Sequence, residues 1–218
     1  MYSPAHFSET RIEVMQELIR QHALATIVVQ TPDGLVADHI PLQIEVDGSA
    51  YGKLISHVAK ANPLWKIDPA QEILVIFQGP QVYISPNWYA SKASSGGKVV
   101  PTWNYAVVHV TGKLKAIPSS EPAALLKILN QLTQQHEASQ PHAWQVSDAP
   151  ADYIEKLCNA IVGIEIDITR MVGKWKVSQN KSATDIASLQ AGLASQADDN
   201  SAAMVALLSL MATDHKNK

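Results

Sequence analysis

Short runs of β-branched and aliphatic residues, each closed by a Gly, Pro or Asn turn, recur along the first half of this chain and limit what it can fold into. Residues 24–30 form one such run, Thr31-Pro32-Asp33-Gly34 is a turn, and residues 35–46 read as a second strand ending at Asp47-Gly48. Residues 50–56 continue the meander, and residues 58–67 read as a short helical or loop segment. Residues 73–77 and 81–85 are two further strands set apart by Gly79-Pro80, and after a small-residue loop over 91–97 residues 105–117 return to β composition. A last long strand is predicted over 160–172, where Ile164, Ile166 and Ile168 alternate with Glu165, Asp167 and Thr169 and so leave one face wet.

Helical signals frame these strands. Thr10 with Glu13 makes a capping-box pattern ahead of Val14, Met15, Leu18 and Ile19. Glu121-Pro122 opens a helix carrying Leu125, Leu126, Leu129 and Leu132 on one face, and residues 152–159 read as a short helix. Ser182 with Asp185 opens another helix to about Ala194, and residues 202–211 form a second apolar helical stretch. The expected fold is therefore α+β and mainly β. A meander, a crossover helix, a returning strand and a helical tail suit a small antiparallel barrel better than a doubly wound sheet. Residues 1–181 are expected to form the main domain and residues 182–218 a C-terminal helical extension.

With 218 residues and 46% hydrophobic composition, the chain can bury one sizeable core. A formal net charge of −3 creates no global field that would draw it to nucleic acid or anionic lipid. Cys158 is the single cysteine, which rules out an intrachain disulfide and a Cys-rich zinc site. Glu9, Arg11 and Glu13 stand where a signal peptide would need apolar residues, and no run reaches the roughly 18 apolar residues of a membrane span. A cytoplasmic protein is expected.

Charge is unevenly distributed. No acidic residue lies between Glu72 and Glu121, where Lys92, Lys98, Lys113 and Lys115 occur, and none lies between Asp167 and Asp185, where Arg170, Lys174, Lys176 and Lys181 occur. Lysines on exposed strand edges explain part of this pattern. The same segments also hold Trp88, Tyr89, Trp103, Tyr105 and Trp175, and an anion attached to a flat ring suits both features. The block Ile55-Ser56-His57-Val58-Ala59-Lys60-Ala61-Asn62-Pro63 adds hydroxyl, imidazole, ammonium and amide donors just after a strand, a composition able to hold a phosphate.

Further blocks follow in order: Phe77-Gln78-Gly79-Pro80, then Tyr83 to Tyr89, then Val100-Pro101-Thr102-Trp103-Asn104-Tyr105, then Gly173-Lys174-Trp175-Lys176-Val177-Ser178-Gln179-Asn180. With Met1-Tyr2-Ser3-Pro4 and Phe7 they resemble the PaiB-type family of bacterial FMN-binding negative transcriptional regulators, from the start of the chain to about Leu193. The resemblance implies a split barrel, related to pyridoxamine phosphate oxidases and flavin reductases, with two protomers holding FMN. It places His57, Lys60 and Asn62 near the phosphate and ribityl chain, and Trp103, Asn104 and Tyr105 toward the flavin from a barrel edge. Lys176, Ser178, Gln179 and Asn180 would reach ring or phosphate oxygens. Lys60 stands where arginine is usual and Val177 where leucine is usual; a lysine keeps the charge but loses the planar fork.

The resemblance implies a homodimeric, flavin-dependent regulator or sensor, with an FMN-dependent oxidoreductase or flavin reductase as the alternative. The cofactor carries the chemistry in such enzymes, so no catalytic side chain is assigned. Direct nucleic-acid binding is doubtful, because no Lys or Arg occurs from Ser182 to His215. There is no Gly-rich phosphate loop, Gly-x-Ser-x-Gly elbow or zincin histidine pair, and His136, Glu137 and His142 lack further strong ligands nearby, so no metal is expected.

Overall fold

The computed structural model of the chain describes residues 1–214; the last four residues of the expected 182–218 extension lie outside the described residues. Eight strands form one antiparallel sheet: β1 (Ser8–Glu9), β2 (Leu24–Thr31), β3 (Gly34–Pro41), β4 (Gln43–Glu45), β5 (Lys53–Ala59), β6 (Glu72–Ile84), β7 (Thr102–Ile117) and β8 (Ile161–Lys176). The hydrogen-bonded order is β3-β2-β6-β7-β8-β5-β4, with β1 on β8. The helices are α1 (Ile12–Gln21), α2 (Pro122–Glu137), α3 (Ala151–Cys158), α4 (Ala183–Ala194) and α5 (Asp199–Asp214). An α+β fold with a dominant sheet is what the sequence predicts.

Three expectations change in detail. The predicted strand over 35–46 breaks at Leu42, whose N–H leaves the ladder to donate to the Ala23 carbonyl at 2.8 Å while its side chain is fully buried. The pair expected over 73–77 and 81–85 is one strand, β6, running straight through Gly79-Pro80. Gly79 is there for close approach: a Cβ on it would lie 2.8 Å from Leu18 Cδ1 and 3.2 Å from the Ala106 carbonyl oxygen. Just ahead of α1, the N–H groups of Thr10 and Arg11 donate to the Glu9 carboxylate, at 3.0 and 2.9 Å, so Glu9 shares in organising the helix entry that the sequence assigns to Thr10 and Glu13.

The chain divides into two compact units. One comprises residues 19–77 and 109–171. Its strand faces follow the predicted alternation: Ile164 and Ile166 are fully buried, while Glu165 pairs with Lys53 at 3.1 Å and Asp167 with Lys115 at 2.5 Å. Helix α2 buries Ile128 and Leu132 against Ile55 of β5, with Ile117 beside them.

The other unit comprises residues 1–18 and 78–108 and the chain from Val172 onward. Helices α4 and α5 pack on each other here, burying Leu189, Leu193, Met204 and Leu208. Ser182 caps α4 by accepting from the Asp185 N–H at 3.1 Å, the first half of the expected capping box. The second half is replaced: the Asp185 carboxylate accepts from Ser91, at 2.8 Å from its N–H and 2.9 Å from its hydroxyl, and so fastens α4 to the small-residue loop. A Cβ on Gly192 would lie 2.5 Å from Trp88 Cγ, and Ser188 donates to the Trp88 carbonyl at 2.7 Å. Helix α4 thus braces the segment that carries Trp88 and Tyr89.

Candidate functional site

Strand β7 begins at Thr102 and β8 runs on to Lys176, further than the sequence predicts, and both extensions carry candidate residues onto regular backbone. Alternation along β7 then sorts its residues. Thr102 and Asn104 line a pocket of about 160 Å³, whereas Trp103 and Tyr105 do not. After β8, Ser178 adopts the left-handed conformation, with φ +64°, and the Lys181 N–H closes a turn on the Ser178 carbonyl at 3.0 Å. That turn brings Ser178, Asn180 and Lys181 to the same pocket, together with Lys176, Tyr89, Val100 and Phe7. A non-glycine residue at positive φ costs on the order of 1–3 kcal/mol and is retained where the surroundings hold it.

The side chains at the pocket are tied together. Asn104 Nδ2 donates to Ser178 Oγ at 3.0 Å, and Ser178 Oγ donates to Asn104 Oδ1 at 3.1 Å, both groups being buried. Lys176 donates to the Thr102 hydroxyl at 2.5 Å. The Lys181 ammonium stands over the Tyr89 ring, 4.9 Å from its centroid. Tyr89 is only 3% exposed, and its hydroxyl is buried without a hydrogen-bond partner. The Ser178 hydroxyl, which bonds Asn104, is its polar neighbour. Burial raises the Tyr89 phenol above its ordinary pKa; the Ser178 hydroxyl opposes this and the Asp185 charge adds to it.

The remaining candidates stand elsewhere. The Gln179 amide is spent on its own backbone, accepting from the Val177 N–H at 2.8 Å and donating to the Trp175 carbonyl. Trp103 is 54% exposed and meets Tyr83 edge-on at 6.2 Å. Tyr105 lies under the buried Lys174 ammonium, 5.3 Å from its ring centroid, and lines a smaller cavity of about 130 Å³ with Gln78, Gly79 and Gln81.

His57, Lys60 and Asn62 belong to the other unit. His57 is on β5 opposite Gly163; its Nδ1 is buried without a partner, and burial lowers its pKa. Lys60 is exposed. Asn62 caps the short 3-10 turn Pro63–Lys66, its carbonyl accepting from the Leu64 N–H at 2.8 Å and its amide donating to Asp38 at 3.2 Å. This unit also has a larger cavity, about 610 Å³, between α2 and α3. Leu126, Val146, Ile154 and Cys158 line it, and Glu155 but no Lys or Arg, which makes it a poor receptor for an anion. Among the described residues no group of three His, Cys, Asp or Glu side chains could hold a metal ion, and no helix is long and apolar enough to cross a membrane.

Residues 1–170 match the family described as "putative FMN-binding domain". The chain belongs to this family. It is 35% identical to an uncharacterized protein of Emericella nidulans over 85% of this chain and 87% of that one. It is 29% identical to the Bacillus subtilis protease synthase and sporulation protein PAI 2 over 95% of this chain and 96% of that one, the PaiB protein of the resemblance drawn from the sequence. Relatives are thus found in fungi as well as bacteria. Among solved structures, the flavocytochrome Anf3 from Azotobacter vinelandii superposes with a TM-score of 0.59 at 15% identity, over 83% of this chain and 75% of that one. The FAD and heme binding protein from Mycobacterium smegmatis gives 0.54 at 15% identity, over 83% and 78%. The fold is that of the flavin-binding split-barrel proteins.

Family membership makes FMN the cofactor. The pocket fits one end of such a molecule. Its volume of about 160 Å³ is below the roughly 300–1,000 Å³ of sites that enclose a whole small ligand. Its lining offers two ammonium groups, the amides of Asn104 and Asn180, the hydroxyls of Thr102 and Ser178, and the Tyr89 hydroxyl, with no carboxylate. Of the residues that line the pocket, sequence reasoning names Asn104, Lys176, Ser178 and Asn180 but not Tyr89 and Lys181. Both lay within the acid-free aromatic and basic segments, and that was their signal.

Proposed function

We propose that the protein is a homodimeric, FMN-dependent regulator or sensor of the cytoplasm, whose affinity for a partner follows the state of its flavin. The observation that carries the flavin reading is the convergence of Asn104, Lys176, Ser178 and Asn180 on one carboxylate-free pocket. Lys176 and Asn180 would meet polar oxygens of the cofactor, and the Asn104–Ser178 pair would hold the pocket's shape. His57 and Lys60, with Asn62 beside them, are proposed as flavin contacts of the β5 block, Trp103 and Tyr105 as aromatic contacts, and Gln179 as the clamp that shapes the Val177–Asn180 turn. Bound flavin would supply reversible one- or two-electron chemistry.

The regulatory half is supported by the relation to the Bacillus subtilis protein, whose name ties it to sporulation. The homodimer is supported by an apolar surface on one unit, where Val100, Trp103 and Tyr83 are 74%, 54% and 46% exposed. A second reading, an FMN-dependent oxidoreductase, draws on the same exposed Tyr83–Trp103 pair, which could receive a flat substrate.

Adding NADH or NADPH under anaerobic conditions to the FMN-loaded protein separates the two. Flavin that stays oxidised with both nicotinamides, yet can be reduced by dithionite, is the expected result. Rapid bleaching by either nicotinamide would replace the regulator with the oxidoreductase.

A further inference from the structure

The cavity between α2 and α3, about 610 Å³, falls within the roughly 300–1,000 Å³ of sites that enclose a whole small ligand. It belongs entirely to the unit of residues 19–77 and 109–171 and shares no residue with the Asn104–Ser178 pocket. Helical spacing assembles its walls: Leu126 and Asn130 stand one turn apart on α2, and Ile154 and Cys158 one turn apart on α3, with Glu155 and Asn159 beside them. Facing stripes of this kind normally interlock, yet Leu126 and Ile154 stay only half-buried, so apolar side-chain surface is left for an occupant. Cys158 forms a neutral part of the wall, because burial raises its thiol above its ordinary pKa.

The polar lining sets the occupant's charge. Among the described residues at the cavity, Glu155 is the one that carries a charge. The other charges of α3, Asp152 and Lys156, pair with each other at 3.6 Å, whereas Glu155 has no basic partner among the described residues. The Asn130 amide donates to the Leu126 carbonyl at 2.8 Å, which leaves its Oδ1 to accept, and the Asn159 side chain is not engaged by any described residue. A carboxylate and two amide oxygens match the three N–H donors of a primary ammonium. We propose that this cavity binds a small organic amine, its apolar body lying between Leu126 and Ile154 and its ammonium held by Glu155 and the Asn130 and Asn159 amides. The site goes beyond the flavin reading and does not rest on it.

The test titrates the full-length protein, with and without FMN, by calorimetry against three probes of one shape and different charge: 4-phenylbutylamine, 4-phenylbutanol and 4-phenylbutyrate. Ile154→Trp fills the cavity and Glu155→Gln removes its charge; Glu155 is exposed, so E155Q keeps the test open even where I154W perturbs folding. The expected result is that the amine binds one site with a Kd below about 1 mM, about threefold or more tighter than the alcohol and at least about tenfold tighter than the butyrate. E155Q should bring amine and alcohol to within about twofold, and I154W should abolish binding of both. The amine should also slow modification of Cys158, the chain's only cysteine, by N-ethylmaleimide, which locates it at this wall. The proposal is overturned if the wild type binds no amine, if it binds the butyrate as tightly, or if both variants leave the amine's affinity unchanged. A protein that binds the amine in this way but takes up no FMN would keep this site and overturn the flavin reading instead.

Discussion

Asn104 and Ser178, one on β7 and the other just beyond β8, exchange hydrogen bonds in both directions at 3.0 and 3.1 Å while both are buried. Removing either leaves the other's polar group unsatisfied, so Asn104→Ala and Ser178→Ala should each lower stability by about 1–3 kcal/mol. The double variant should lose clearly less than the sum, because the pair acts as a unit. Ser178→Gly should be more stable than Ser178→Ala by about 1 kcal/mol, since φ +64° favours glycine over alanine. Urea unfolding of the four variants checks all three statements.

Gly192 is where α4 meets Trp88. An alanine there must displace the indole, whose Cγ would be 2.5 Å from the new Cβ. Gly192→Ala is expected to cost about 1–3 kcal/mol, to shift the tryptophan emission spectrum and to weaken flavin binding by loosening Tyr89. An unchanged melting temperature would show that the helical hairpin does not brace the pocket.

Two pH windows follow from the buried groups. Burial lowers the pKa of His22, His57 and His109 below 6.5, so the folded chain takes up their protons later than the unfolded chain does. Their contribution is complete above about pH 6.5 and is lost as pH falls through the lower folded values. The second window lies below about pH 4.5. Burial alone would raise Glu9, but Arg11 outweighs it and holds the carboxyl below its usual value; Ser91 does the same for Asp185, from a usual value of 3.8, against a smaller effect of burial. Melting temperature measured against pH should fall in these two steps, and His57→Gln should shallow the first.

How much of this was legible in the sequence differs from element to element. The alternation around Ile164 and Ile166 was readable, because burial on one side leaves a period in the sequence, and of the expected α2 face Leu125 and Leu132 are buried while Leu126 and Leu129 are only partly so and Ile128 takes the place between. The continuity of β6 was not, since Gly79-Pro80 carries the same letters whether it turns the chain or lets α1 approach a straight strand. The site was half legible. Lys176 and Ser178 lie in a block with a recognisable composition, whereas Tyr89 reaches them only through the Asp185–Ser91 and Gly192–Trp88 contacts, which join residues far apart in the chain. How the helical tail packs was likewise set by those contacts and by no local pattern.

Trp103 offers a change that separates binding from folding. At 54% exposed, with Tyr83 as its ring neighbour, Trp103→Ala should alter stability by no more than about 0.5 kcal/mol. On the proposed function it should also weaken FMN binding or dimer formation. Size-exclusion chromatography with light scattering and a flavin titration read the two effects separately.

The central claim is that this chain holds FMN through the Lys176–Asn180 segment. The most direct test titrates FMN with the purified protein and with Lys176→Ala, following flavin fluorescence and the visible spectrum, and then dialyses each mixture. The wild type should quench flavin fluorescence saturably, shift the visible bands and retain flavin through dialysis, while Lys176→Ala binds at least about tenfold more weakly. A wild-type protein that leaves the FMN spectrum unchanged and loses all flavin on dialysis would contradict the account.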